Sequence, residues 1–207
     1  MRSPLVAAVA ALALLAGAGM VAAQDFKDPK SEVAFAIDSG DLTLLGTGLR
    51  IKKIAFLKFK AYAFGFYVDK AAAEGDLAPF KGKPASDDLR KVLQTGDFKK
   101  ELVLHFLRDL DAKKIQDAMR EALEKGTDPK VLDQFISYFP EVKVGERCTL
   151  RWVPGGTIET VMVGQEKPPI TDRAFAEKLY GLYVGPKPLQ KDFKAGTVAR
   201  VGEVLGQ

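Results

Sequence analysis

"GTGLRIKKIAFLKFKAYAFGFYVD", residues 46–69, decides how the rest of the chain is read. Almost every position in it favours β-strand, and from Ala61 to Val68 odd and even positions are apolar alike. A strand with one wet face alternates apolar and polar side chains, so this one is covered on both faces. One face carries Tyr62, Phe64 and Phe66, and the other carries Ala61, Ala63 and Gly65. Small residues at every second position admit close approach to the backbone, by a helix or by a ligand. Arg50 stands at the entrance to this ribbon, behind Gly46-Thr47-Gly48. Burying a guanidinium is costly unless an anion meets it. The residues alone leave its role open: contact with solvent at the turn, an ion pair with an acid such as Asp69, or a binding site.

Outward from the ribbon the pattern is strands, helices, a hairpin and helices again. "VAFAID" (33–38) and "DLTLLGTGLR" (41–50) read as two strands joined by a turn at Ser39-Gly40-Asp41. Residues 70–98 form a polar connection with Pro79 and Pro84 and a short helix over Asp87–Gln94. "KKELVLHFL" is a strand, and "DLDAKKIQDAMREALEKG" places Ile115, Met119, Ala122 and Leu123 at helical spacing before Gly126 stops it. A second helix, "DPKVLDQFISYF", has Asp128 as its N-cap and Pro129 in its first turn. "GERCTLRWVPGGTIETVMVG" is a hairpin about Pro154-Gly155-Gly156, and "ITDRAFAEKLYGLYVG" is a helix capped by Thr171 or Asp172 and closed by Gly185. A last helix is expected over Leu189–Arg200. This order predicts an α+β fold with helices packed on one antiparallel sheet.

The ends and the composition narrow the function classes. Arg2, an Ala- and Leu-rich run and Val21-Ala22-Ala23 before Gln24 have the form of a cleavable leader over residues 1–23. The expectation is one domain over 24–207, exported to a bacterial periplasm or secreted, with no integral membrane segment after cleavage. The formal net charge of +4 is small and the lysines are scattered among acids, which argues against nucleic acid as a partner. Cys148 is the only cysteine and shares a strand face with Leu150 and Trp152, as a small buried hydrophobe would. His105 is the only histidine, so neither a zinc site nor a Cys–His pair is expected, and no cofactor is implied.

The order of motifs resembles the chalcone isomerase superfamily. "LLGTGLR" followed by "KFKAYAFGFYV" is similar to its Gly-x-Gly-x-Arg turn before a strand ending in Ala-x-Gly-x-Tyr, here Ala63-Phe64-Gly65-Phe66-Tyr67. The likeness continues through "DAKKIQDAM", "GGTIETVMV" and "AFAEKLYGLYVG". It implies an open-faced β-sandwich: one large antiparallel sheet, a layer of helices and a cleft between them. The superfamily includes plant isomerases that cyclise chalcones and plant plastid members that bind fatty acids.

The resemblance carries over residue by residue. The family's arginine is Arg50. Where the isomerases have a threonine this chain has Tyr62, as in the fatty-acid binders. The isomerase tyrosine falls at about Asp111, the asparagine at about Ala118 and a later hydroxyl residue near Ala176, and no tyrosine occurs between Tyr67 and Tyr138. A bidentate guanidinium and a hydroxyl suit a carboxylate, whereas isomerisation needs more donors around a ketone oxygen. The resemblance thus implies a small amphipathic carboxylate ligand, a fatty acid, held by Arg50 and Tyr62 with Phe56, Phe64 and Phe66 as walls. Matching parity turns Arg50 and Tyr62 into one cleft if the ribbon has no bulge. The alternatives are an isomerase acting on an enone, with Arg50 as its catalytic residue, and a non-catalytic scaffold whose cleft has closed.

Overall fold

The apolar ribbon is two arms of a hairpin. In the computed structural model, which describes residues 24–206 apart from Ala55, Leu42–Ile54 and Leu57–Asp69 pair antiparallel, with Ile54 opposite Leu57. The expected leader at residues 1–23 lies outside the described residues. In chain order the strands are β1 (Asp25–Lys27), β2 (Ala34–Ala36), β3 (Asp38–Ser39), β4 (Leu42–Ile54), β5 (Leu57–Asp69), β6 (Lys100–Phe106), β7 (Arg147–Val153), β8 (Thr157–Met162) and β9 (Gln165–Thr171). The helices are α1 (Lys70–Glu74), α2 (Asp87–Thr95), α3 (Ala112–Leu123), α4 (Pro129–Ser137), α5 (Arg173–Gly181), α6 (Phe193–Gly196) and α7 (Val201–Leu205). Strands β3 to β9 form one antiparallel sheet in which every strand neighbours its successor in sequence, and β1–β2 is a separate small hairpin. The expected α+β architecture, a large antiparallel sheet with a helical layer, is the one observed.

Both faces of β5 are covered, each by a different layer. Tyr62, Phe64, Phe66 and Val68 join the main core with residues from the helices, among them Leu93, Met119, Phe135, Leu179 and Phe193. Ala63 and Tyr67 face the other way, with Leu44, Leu49 and Phe35 of β2. The small residues there admit Phe35: a Cβ on Gly65 would come within 2.9 Å of its ring. Burial of each such side chain contributes about 1.5–3 kcal/mol relative to exposure.

Two bulges break the β4–β5 register. Leu44 opposes Tyr67 and Gly46 opposes Phe66, so Leu45 is extra; Arg50 opposes Tyr62 and Ile51 opposes Lys60, so Ala61 is extra. The stretch Gly46–Arg50, a turn in the family resemblance, is extended strand inside β4, as the strand pattern over 41–50 implied. Its glycines serve packing instead. A Cβ on Gly46 would lie 2.1 Å from the Gly196 carbonyl oxygen of α6, and one on Gly48 would lie 2.4 Å from the Phe64 ring.

Several ends differ from the pattern-based expectation. Asp69 is the N-cap of α1, accepting from the Ala71 N–H at 2.8 Å, and sits at the opposite end of the hairpin from Arg50. Strand β9 contains Pro168 and Pro169, which argue against a strand by pattern but fall in a bulge where no ladder bond is asked of them. The last helix is two short ones, α6 and α7, rather than one over Leu189–Arg200.

The helical layer is tied to the sheet by a buried amine. Lys100 on β6 is fully buried and donates to the carbonyls of Leu93 (2.9 Å), Gln94 (3.2 Å) and Gly96 (2.8 Å) at the end of α2. Its Nζ lies 3.9 Å from the centroid of the Trp152 ring. Burial pushes the ammonium down to about 7 from 10.5. The unfolded chain therefore binds more protons than the folded one between those values, and this residue's contribution to stability rises with pH through that window. Urea titrations at pH 7 and pH 9.5 should show a gain for the wild type that Lys100→Met lacks. An equal pH response in the two proteins would refute this.

Candidate functional site

Between the sheet and α3 lies a cleft of ≈ 790 Å³, within the size range of small-ligand sites. Its floor is apolar and closed to solvent: Tyr62, Leu104, Phe106, Phe139 and Tyr183 are all buried. Phe59 and, from α3, Ile115, Ala118 and Met119 extend the walls. The rim is polar and exposed, with Lys53 on the hairpin facing Lys114, Asp117 and Glu121 on α3.

The polar group of the cleft is Arg50, Tyr62 and Tyr183. The hairpin brings the first two together as direct cross-strand partners, and such pairs share a face of the sheet. The bulge at Ala61 does not separate them, because it falls on the far side of the pair; it turns Ala61 itself toward the cleft. Gln190 holds the β4 backbone on either side of the arginine. Its side-chain amide donates to the Leu49 carbonyl at 2.9 Å and accepts from the Ile51 N–H at 3.0 Å, as a neighbouring strand would.

Arg50 is half-buried, and no described residue forms an ion pair or hydrogen bond with its guanidinium. Tyr62 donates to the Tyr183 hydroxyl at 3.5 Å, which is long for an O–H···O contact. The Tyr183 proton has no acceptor among the described residues. Burial raises the pKa of Tyr62, with the Tyr183 hydrogen bond and the Arg50 charge pulling against it. Burial likewise holds Tyr183 well above the usual phenol value. Both phenols are therefore neutral donors beside an unpaired cation, an arrangement that suits an oxyanion.

A family-level sequence profile described as chalcone isomerase-like matches residues 23–197. The chain belongs to this family. Among solved structures, the crystal structure of an Arabidopsis thaliana fatty-acid binding protein superposes with a TM-score of 0.78 at 20% identity, covering 89% of this chain and 100% of that one. At that identity the likeness shows the fold, a chalcone isomerase-like sheet with its helical layer. A comparison with curated protein sequences returns no match.

Set in the chalcone isomerase-like fold, the expected site residues divide. Arg50 and Tyr62 line the cleft. Phe56 does not: it sits at the hairpin reversal, 90% exposed. Phe64 and Phe66 share the Tyr62 face but are sealed in the core, Phe64 against Tyr183 and Phe193 with centroids 5.1 and 4.9 Å away, and Phe66 against Tyr180. The walls they were expected to form are built by Phe59, Phe106 and Phe139. Ala118 lines the cleft, Asp111 is on the surface in an ion pair with Lys114, and Ala176 is buried in the core.

Tyr183 and Gln190 escaped the sequence reading. A signal for Tyr183 existed, since Tyr180 and Tyr183 recur at helical spacing in "KLYGLYVG". His105 opposes Ala63 and so faces away from the cleft. Cys148 is fully buried, its thiol pushed up to about 12 by burial. No group of three or more metal-ligating side chains occurs among the described residues.

Proposed function

We infer that this protein binds a small amphipathic carboxylate, a fatty acid, in the cleft between sheet and helices, and that its leader exports it to a periplasm or the medium. One observation carries the binding reading: an unpaired guanidinium stands beside two buried phenols over the apolar floor of the cleft. The Arg50 guanidinium donates to the two carboxylate oxygens, and the phenols of Tyr62 and Tyr183 donate to them as well. The acyl chain runs over Phe59, Leu104, Phe106 and Phe139. Each buried methylene contributes about 0.8 kcal/mol, against roughly 1.5–3 kcal/mol for the charge-assisted bonds. The chain therefore sets affinity, and the head group sets orientation.

We read the site as a binding site rather than an isomerase centre. The positions matching the isomerase tyrosine and asparagine hold Asp111, engaged with Lys114, and Ala118, a methyl group. A developing ketone oxyanion would find fewer donors here than that chemistry asks for.

Native mass spectrometry of protein expressed with its leader tests both parts. The expected mass is that of a chain beginning at Gln24 plus one fatty acid, released by organic extraction. A chain that retains residues 1–23 would overturn the export reading. Protein that stays ligand-free after incubation with free fatty acids would overturn the binding reading.

A further inference from the structure

We propose that the tip of the β4–β5 hairpin docks on an anionic lipid bilayer. The ladder between β5 and β6 runs only from Tyr62 to Val68, so residues 51–54 and 57–60 of the hairpin form strand pairs with each other alone. At about 3.3 Å per residue that arm runs roughly 15 Å beyond the last β6 pair; the chain after β6 follows it as far as Phe59, whose ring centroid lies 4.5 Å from the Arg108 guanidinium. At its end Phe56 is 90% exposed and the adjacent Leu57 63%. Scattered surface hydrophobes need no explanation, but two adjoining ones at the end of a projecting arm form a wedge.

The collar around the wedge is basic throughout. Lys53 and Lys58 are direct cross-strand partners, and Lys52 and Lys60 lie just behind them. Like charges facing one another across a strand pair destabilise it. No acid of the hairpin itself relieves them: residues 42–68 hold Arg50 and these four lysines and not one Asp or Glu. Among the described residues, Lys52, Lys53 and Lys58 have no carboxylate partner, and Lys60 donates to the Lys30 carbonyl. A self-repelling collar is satisfied by a dense array of anions.

An apolar wedge ringed by lysines is the composition of a peripheral membrane contact. The rings and branches enter the boundary between head groups and acyl chains, while lysine stems lie along them and carry their charges to the phosphates. No helix among the described residues is long and apolar enough to cross a membrane, so the contact is superficial. Lys52 and Lys53 belong both to this collar and to the rim of the cleft, so the docked tip places the cleft opening at the bilayer surface. If the cleft holds a fatty acid, that is where such a ligand partitions; the docking itself does not depend on that reading.

The test is co-sedimentation of the chain beginning at Gln24 with vesicles of phosphatidylcholine alone and of an equal mixture with phosphatidylglycerol. Wild-type protein should bind the anionic vesicles and not the neutral ones, and salt should release it. Phe56→Ser/Leu57→Ser should weaken binding at least roughly tenfold. Lys53→Gln/Lys58→Gln should weaken it roughly twenty-five-fold, about fivefold for each lysine. All four side chains are exposed, so thermal unfolding of both variants should match the wild type. Equal vesicle binding by wild type and variants, or no binding to anionic vesicles, would overturn the proposal. So would self-association that the Phe56→Ser/Leu57→Ser variant abolishes without vesicle binding, since the tip would then meet a second copy. Fatty-acid affinity in vesicle-free solution should be unchanged in Phe56→Ser/Leu57→Ser, whose side chains do not line the cleft. A loss there would assign the tip to the cleft rather than to a bilayer.

Discussion

Arg50→Ala is expected to weaken fatty-acid binding by about 1.5–3 kcal/mol, roughly tenfold or more, and to erase the preference for a free acid over its methyl ester. The guanidinium has no partner within the described residues, so its removal leaves no buried acid stranded. The fold should persist, and the loss should appear in binding alone. Tyr62→Phe keeps the ring that packs edge-on against Phe106 at 6.0 Å and removes only the hydroxyl. It should cost about 0.5–1.5 kcal/mol, the smaller of the two effects because Tyr183 remains as a donor. Titrating acid and ester against wild type and Arg50→Ala forms a double-mutant cycle that isolates the head-group contact from the acyl chain. An acid preference of equal size in both proteins would mean that Arg50 does not read the carboxylate.

Gly46→Ala should destabilise the protein by on the order of 3 kcal/mol, the upper end of what overpacking costs. The added methyl would sit 2.1 Å from the Gly196 carbonyl oxygen and 2.6 Å from the Thr197 carbonyl carbon. Both are backbone atoms, so no side chain can turn aside; α6 has to move. That helix carries Phe193, stacked on Tyr183 with ring centroids 6.3 Å apart and planes at 3°. Ligand affinity in the folded fraction should therefore fall as well, although Gly46 does not line the cleft. Urea unfolding followed by circular dichroism measures the first effect, and a loss under about 1 kcal/mol would show that α6 yields without cost.

The helices α2 to α5 and the late hairpin were legible because their signals are local. Asp128 before Pro129 marks the start of α4, and its carboxylate accepts from the Lys130 and Val131 N–H groups. Gly155 and Gly156 take positive φ values at the β7–β8 reversal, as the pattern there suggested. The reversal inside 46–69 was not legible. Two-residue hairpin loops favour Asn-Gly or similar pairs, and Ala55-Phe56 offers nothing of the kind. A hairpin thus read as one continuous ribbon, and Phe56 read as a wall residue when it is a tip.

The arginine and tyrosine were linked correctly as a pair, but for a different reason. Parity along a single strand was the sequence argument; direct pairing across two strands is the structural one. Tyr183 and Gln190 reach Arg50 from more than a hundred residues away in sequence, and no spacing rule reports such long-range contacts. The apolar run itself could not say which phenylalanines face the cleft and which are sealed beneath helices.

The two margins of the sheet bear on how this chain behaves among copies of itself. Open sheets present unpaired backbone groups that can recruit another chain's strand. At one margin β3 covers only Leu42 and Thr43 of β4, and beyond it the β4 edge is occupied by the Arg200 N–H on the Leu45 carbonyl and by Gln190, which takes the Leu49 carbonyl and the Ile51 N–H. The other, β9, holds Pro168 and Pro169, which have no N–H to offer an incoming strand. The Pro168 carbonyl is already taken by the Tyr138 hydroxyl of the residue following α4, at 2.8 Å. Neither side offers a continuous ladder, so a sheet that never closes into a barrel is still shielded from edge-to-edge growth into fibrils.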